Sequence, residues 1–250
     1  MIKRLASNPF VVAGLTAGLV FGWQALTRPK TLQQVAADTK AAAVIVNMTD
    51  SMGTAMGTGA GWFYNANGDI ATANHAAQAS WPTTQVVFAD GSKHAAKVVF
   101  EDAKDDISIL HVDGVKNHPF LKFGDSSKLQ MGDDIVLVGN AYYAGLAAKF
   151  GHVSDALTSL ASVEKFIRLP TQDNMFVQTD AAINKGDSGG PVVNDKGQLV
   201  GMAIRGISES MLEGGVNQSA GVNYFTPSNT VERAVVTYEN SLKKSSPTPG

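Results

Sequence analysis

The run Asn184-Lys185-Gly186-Asp187-Ser188-Gly189-Gly190-Pro191 holds the clearest chemical signal in this sequence. A serine set between glycines suits a tight turn that presents its hydroxyl. Glycine accepts backbone angles that other residues resist, and it lets a substrate carbonyl approach the main chain. The N–H groups of Gly186 and Ser188 could converge on one point as an oxyanion hole, with Asp187 inside the same donor stretch. Ser188 is therefore a candidate nucleophile, and a nucleophilic hydroxyl needs a general base and a group to orient that base.

Gly186-Asp187-Ser188-Gly189-Gly190 also satisfies G-x-S-x-G, the nucleophile elbow of α/β-hydrolases. Chain order decides against that alternative. An α/β-hydrolase places its histidine after the serine, and the five histidines here, His75, His94, His111, His118 and His152, all precede Ser188. The elbow also opens a helix, whereas Gly189, Gly190 and Pro191 oppose one. The same point counts against a subtilisin-type site. The order His, Asp, Ser remains, as in trypsin-like sites.

His75 follows an expected strand and lies among small residues in Ala71-Thr72-Ala73-Asn74-His75-Ala76-Ala77, which leaves room for an imidazole and a substrate. His94 falls in a hairpin turn, His111 within a strand, His118 in a loop before Pro119, and His152 after Gly151. Each of those four reads as structural. Asp102, Asp105 and Asp106 crowd the start of the expected strand Ile107–Val112. Asp106 abuts that strand, so a rigid element would hold it to orient the imidazole. Asp105 is its main competitor.

The elements that must carry these residues are short strands separated by Gly, Asn and Asp. They are expected at Val44–Met48, Gly61–Tyr64, Ile70–Ala73, Gln85–Phe88, Ala96–Phe100, Ile107–Val112, Ile135–Val138, Phe176–Thr179, Val192–Asn194, Leu199–Ile204 and Val222–Phe225. That pattern argues for an all-β barrel or sandwich. Asn67-Gly68 between apolar runs is a hairpin signal. Thr49–Gly59, rich in Gly, Thr and Ser, reads as a loop. Helical spacing marks Leu32–Lys40 and Val231–Leu242. The chain divides into a leader and linker over 1–30, a catalytic domain over 31–240 and a disordered tail over 241–250.

With 250 residues, 44% hydrophobic and 17% charged, the chain can bury a substantial core. A net charge of −2 gives no reason to expect nucleic-acid binding. The absence of cysteine excludes disulfides, thiolate metal sites and a cysteine nucleophile. No metal or cofactor is implied. Lys3 and Arg4 precede an apolar run from Pro9 to Leu26, at the lower edge of what spans a bilayer core of roughly 30 Å. A cleaved signal peptide and an uncleaved anchor compete. The lack of a small-x-small cleavage site before Arg28, and Trp23 at an interfacial position, favour the anchor. Gly14, Gly18 and Gly22 share one face of that helix and would permit close helix pairing, but small residues are common in signal segments that pair with nothing, and that reading is slightly favoured.

The motifs together resemble the HtrA/Deg family of trypsin-like serine proteases. The resemblance runs through Gly57-Thr58-Gly59-Ala60-Gly61-Trp62-Phe63, Asn67–His75, Asp106-Ile107-Ser108-Ile109-Leu110, Met131-Gly132-Asp133, Val138-Gly139-Asn140, Gln178–Gly190 and Gly221–Ser228, over residues 31–235. It implies two six-stranded β-barrels with the cleft between them, His75 and Asp106 coming from the first and Ser188 from the second. It also implies cleavage of misfolded or signalling proteins of the cell envelope, often by a homotrimer, in the periplasm or on its side of the inner membrane. A substrate pocket would place Ala182 at its base and Tyr224 and Phe225 on its wall. Such a pocket favours small or medium apolar residues over Lys or Arg. Three departures stand out. The remainder after Val231 is too short for the PDZ domain that most relatives carry. Asp187 replaces the family's usual Asn. The loop Thr49–Gly59 is short for cage assembly.

Overall fold

The computed structural model describes residues 29–50, 52, 54–159, 175–208 and 219–245. The expected leader, with Gly14, Gly18 and Gly22, lies outside the described residues. No helix of the described residues is long and apolar enough to cross a membrane.

Twelve strands close into two antiparallel barrels of six. In the first, β1 (Ala43–Thr49), β2 (Ala55–Phe63), β3 (Asp69–Ala73), β6 (Ile107–His111), β5 (Lys93–Asp102) and β4 (Thr83–Val87) follow one another around the wall. In the second the order is β10 (Pro191–Asn194), β11 (Leu199–Ser208), β12 (Ser219–Pro227), β9 (Met175–Thr179), β8 (Ala147–Ser159) and β7 (Asp134–Gly139). Closure leaves neither sheet with an open edge. The Asn67-Gly68 signal is realised as the β2–β3 turn, with Gly68 at φ 103°.

Two differences from the sequence reading concern strands. β8 was not anticipated. The first half of β2, read as loop, is paired: Gly57, Thr58 and Gly59 lie opposite Met48, Asn47 and Val46. Glycine is required at Gly59 because a Cβ there would meet the Ala76 side chain and the Ser188 carbonyl. The second barrel therefore packs directly on this strand.

Helix α1 (Leu32–Ala42) begins at a capping box. The Thr31 side chain accepts from the Gln34 N–H, and the Gln34 side chain accepts from the Thr31 N–H. Its buried face, Val35, Ala36, Thr39 and Ala42, meets the second barrel at β7. Helix α2 spans Ser228–Ser245, starting earlier and ending later than expected. Residues 241–245, assigned from sequence to a disordered tail, are its last turn.

The first barrel is filled by Val44, Val46, Phe63, Ile70, Val86 and Leu110. The second is filled by Ile135, Leu137, Val177, Val192, Ala203 and Phe225. A further cluster joins Trp62, Ile107 and Ile109 of the first barrel to Val136, Leu199 and Met202 of the second and Val231 and Tyr238 of α2. The two barrels are thus one packed body, which fixes the relative position of groups carried by each.

Candidate active site

His75 lies in a 3-10 turn, Asn74–Ala76, at the end of β3. Asp106 stands immediately before β6, the partner of β3. Antiparallel pairing of Ala73 with Ile107 brings the two residues together. The Asp106 Oδ2 is 2.6 Å from His75 Nδ1, and its Oδ1 accepts the His75 backbone N–H at 2.9 Å. The Asp106 carbonyl accepts the Asn74 N–H at 2.9 Å. One carboxylate thus fixes both the backbone and the ring of His75. A carboxylate on Nδ1 leaves the hydrogen there and the lone pair on Nε2, as a general base requires. Asp106 is 2% exposed, whereas the His75 side chain is 48% exposed. The orienting group is buried and the acting group is open.

Asp105, the competing carboxylate, turns away. Its N–H donates to Asp102 Oδ1 and its carboxylate faces Arg233 at 3.7 Å. The other histidines are also elsewhere. His111 bonds Asp69, His94 stacks on Phe88, His118 packs on Phe63, and His152 bonds Asp180.

Ser188 is held by barrel-to-barrel contacts. Its carbonyl accepts the Ala60 N–H at 2.8 Å. Gly189 (φ 83°) lies so close to Ala60, Thr72 and Ala73 that any side chain there would collide with them. Ser188 is therefore seated on the strands that lead to His75. Its hydroxyl donates to the Ile204 carbonyl at 3.0 Å.

Gly186 occupies the third position of a turn closed by the Asp187 N–H on the Asn184 carbonyl at 3.0 Å. Its φ of 97° is a left-handed value that glycine adopts without strain, and a Cβ there would collide with the Asn140 carbonyl. This bond corrects the expected donor set. The Asp187 N–H is committed to Asn184, which leaves the Gly186 and Ser188 N–H groups as the candidate pair. The Asp187 side chain is wholly buried. It pairs with Lys149 of β8, and its Oδ2 accepts the Asn184 N–H at 2.7 Å. Burial pushes this carboxyl up, against the opposing pull of Lys149 and of the Asn184 and Ala141 amides.

Of the expected pocket residues, Ala182 is exposed between the buried Ala181 and Ile183. Tyr224 is almost wholly buried. Phe225 corrects the expectation: it is 0% exposed in the core of the second barrel and offers substrate no surface.

Sequence reasoning missed several supporting groups. The Asn74 amide donates to Glu101 at 3.0 Å and to Ser108 at 2.9 Å, bracing the turn that carries His75. The Thr72 hydroxyl donates to the Ala60 carbonyl at 2.7 Å. Asn140 reaches from the second barrel to Thr58 of the first at 3.2 Å. Such partners are far apart in the chain, and no local spacing reveals them.

The trypsin-like peptidase domain pattern matches residues 59–202. The periplasmic serine endoprotease DegP of Salmonella typhimurium is 35% identical over 167 residues, covering 67% of this chain and 32% of the relative. A probable periplasmic serine protease of do/HhoA-like type from Haemophilus influenzae is 36% identical over 180 residues, covering 72% of this chain and 36% of the relative. The chain thus spans about a third of the length of these curated relatives. Among solved structures, the HtrA-type protease AlgW with a tripeptide superposes with a TM-score of 0.67 at 25% identity, covering 82% of this chain and 62% of that one.

Proposed function

The chain belongs to the trypsin-like peptidase family, in its HtrA/DegP-type branch of serine endopeptidases, and we propose that it cleaves peptide bonds through Ser188, His75 and Asp106. The observation that carries this reading is the double hold of Asp106 on His75, at 2.6 Å and 2.9 Å, in the first barrel, with Ser188 of the second barrel seated on the strands that lead to His75.

In the proposed reaction the Ser188 hydroxyl rotates from the Ile204 carbonyl toward His75 and attacks the scissile carbonyl. Its proton passes to His75 Nε2, and the imidazolium is stabilised by Asp106. The Gly186 and Ser188 N–H groups receive the developing oxyanion. The tetrahedral intermediate collapses as His75 returns the proton to the leaving amine. Water, deprotonated by His75, then releases the acyl group from Ser188. Ala182 and Tyr224 line the side-chain pocket in this reading.

The finer reading follows the relatives, several of which are named as periplasmic. The substrates are unfolded or signalling proteins of the cell envelope. The run Pro9–Leu26 anchors the chain in the inner membrane as a single pass, with the protease domain on the periplasmic side, and the assembly is a homotrimer. The alternative is release into the periplasm after signal cleavage. Membrane fractionation and sedimentation of the full chain test these two points. For the activity itself, a fluorophosphonate probe should label the wild type at Ser188 with loss of fluoride. Failure to label the folded wild type would reject the triad.

A further inference from the structure

Beneath the candidate oxyanion turn lies an ion pair that the triad does not use. The Asp187 carboxylate is fully buried, and Lys149 is buried except for 18% of its side chain. Asp187 Oδ2 takes both the Lys149 ammonium and the Asn184 N–H. The same residue's N–H and carbonyl bond the Asn184 carbonyl and the Gly190 N–H. Asp187 therefore ties both limbs of the turn that carries Gly186 and Ser188, and Lys149 ties Asp187 to β8. Space for the carboxylate is kept by Gly139 on β7, where a Cβ would collide with it. The ladder pairs Gly139 with Ala147 and Leu137 with Lys149, so the clearance and the cation come from adjacent strands of one rigid hairpin.

We propose that Lys149 is a positioning residue for the reaction: its pair with Asp187 clamps the turn 184–190 so that the Gly186 and Ser188 N–H groups converge on the oxyanion. The inference rests on the triad reading above. A buried carboxylate without its cation either stays charged and unpaired, or takes up a proton and loses its charge-assisted bonds. Both alternatives loosen the turn. Neither alters His75, Asp106 or the Ser188 hydroxyl itself. This arrangement also explains why an aspartate precedes the serine here. The acid suits a site that supplies a cation, and an amide suits one that does not.

The test compares wild type, Lys149→Met, Asp187→Asn and the double variant Lys149→Met/Asp187→Asn. The readouts are the second-order rate of fluorophosphonate labelling at Ser188, and kcat and KM on an unfolded protein substrate. Folding is checked by circular dichroism. Losing one oxyanion donor outright costs on the order of 10² to 10³ in turnover, so each single variant should label at least about tenfold more slowly. The loss should fall on kcat with KM little changed. The double variant, with a neutral pair of similar volume, should recover most of the rate. A purely structural pair would lower thermal stability and leave the labelling rate of folded protein unchanged. The proposal is overturned if folded single variants label within about twofold of wild type, or if the double variant is no faster than the slower single one. Should Lys149→Met not fold, the comparison of Asp187→Asn with the double variant decides by the same criterion. A wild type that the probe does not label overturns the triad reading, and this inference with it; a labelled wild type with unaffected variants overturns this inference alone.

Discussion

Asp106 adopts φ 56°, a left-handed backbone that costs most side chains energy and that Asp and Asn tolerate best. That conformation goes with a carboxylate turned back onto His75 while the next residue starts β6. An amide at this position fits the backbone but can present an N–H to Nδ1, which favours the wrong tautomer. We expect Asp106→Asn to fold normally and lose turnover by roughly 10⁴. Asp105→Asn should lose far less, because its carboxylate faces Arg233 and not the imidazole. Steady-state kinetics on casein separates the two, and a larger loss in Asp105→Asn would exclude the assignment. Ser188→Ala should keep its fold and lose on the order of 10⁶ in turnover. Its hydroxyl makes one bond, to the Ile204 carbonyl, so little structure depends on it. Casein cleavage by purified Ser188→Ala at the wild-type rate would remove Ser188 from the mechanism. Both candidates rest on local features of the sequence, a strand end and a glycine-flanked serine. The Asn74 brace could not, since Glu101 and Ser108 meet it only through pairing of β3, β5 and β6.

Strands with apolar alternation were legible, and β8 shows why one was not. Its stretch Ala147–Gly151 has Ala147 and Ala148, the charged Lys149, the exposed Phe150 and Gly151, so no apolar run announces it. Neighbours make it a strand, β7 along one side and β9 along the other. Gly151 gives part of the reason for the small residues: a side chain there would meet Asp180 and Ala181. The β8–β9 ladder also carries a titratable latch. His152 Nδ1 lies 3.0 Å from Asp180, and Asp134 is 3.5 Å from its Nε2. The hydrogen bond and charge of Asp180 hold the His152 pKa above its ordinary value. Asp180 itself is pushed up by desolvation but pulled further down by the His152 bonds, and ends below the usual range. The His152 contribution is complete below about pH 6.5 and is lost as pH rises through the raised value. The Asp180 contribution is present above about pH 4 and is lost as pH falls through the lowered value. His152→Gln should therefore lower the melting temperature more at about pH 6 than at about pH 9. Scanning calorimetry of both proteins at the two pH values provides the check, and an equal difference at both would contradict the latch.

The two barrels meet as one body, and the segment joining them is stitched to both. Leu121 N–H donates to the Phe63 carbonyl of the first barrel, while Lys122 and Gly124 exchange backbone bonds with Leu199 of the second. The Ser228 hydroxyl at the start of α2 closes on the Gly124 carbonyl at 2.7 Å. This fixed junction sets how the two barrels face each other, and in the proposed reading the second barrel would supply the side-chain pocket. The residue six positions before the proposed nucleophile is Ala182, which carries no charge. The nearest preceding carboxylate, Asp180, is bound to His152 on the outer face of β8. A Lys or Arg side chain entering the proposed pocket would find no counter-ion at Ala182 itself, and burying a cation without a partner is strongly disfavoured. The neighbouring Ala181 and Ile183 belong to the barrel core, whereas Ala182 is exposed, so it can be substituted without disturbing that packing. We expect cleavage after small and medium apolar residues. Ala182→Asp should add measurable cleavage after Lys and Arg. Mass spectrometry of the peptides released from a reduced, unfolded protein reads both outcomes. A majority of wild-type cuts after Lys or Arg would show that another carboxylate reaches the pocket, and would leave the triad assignment intact.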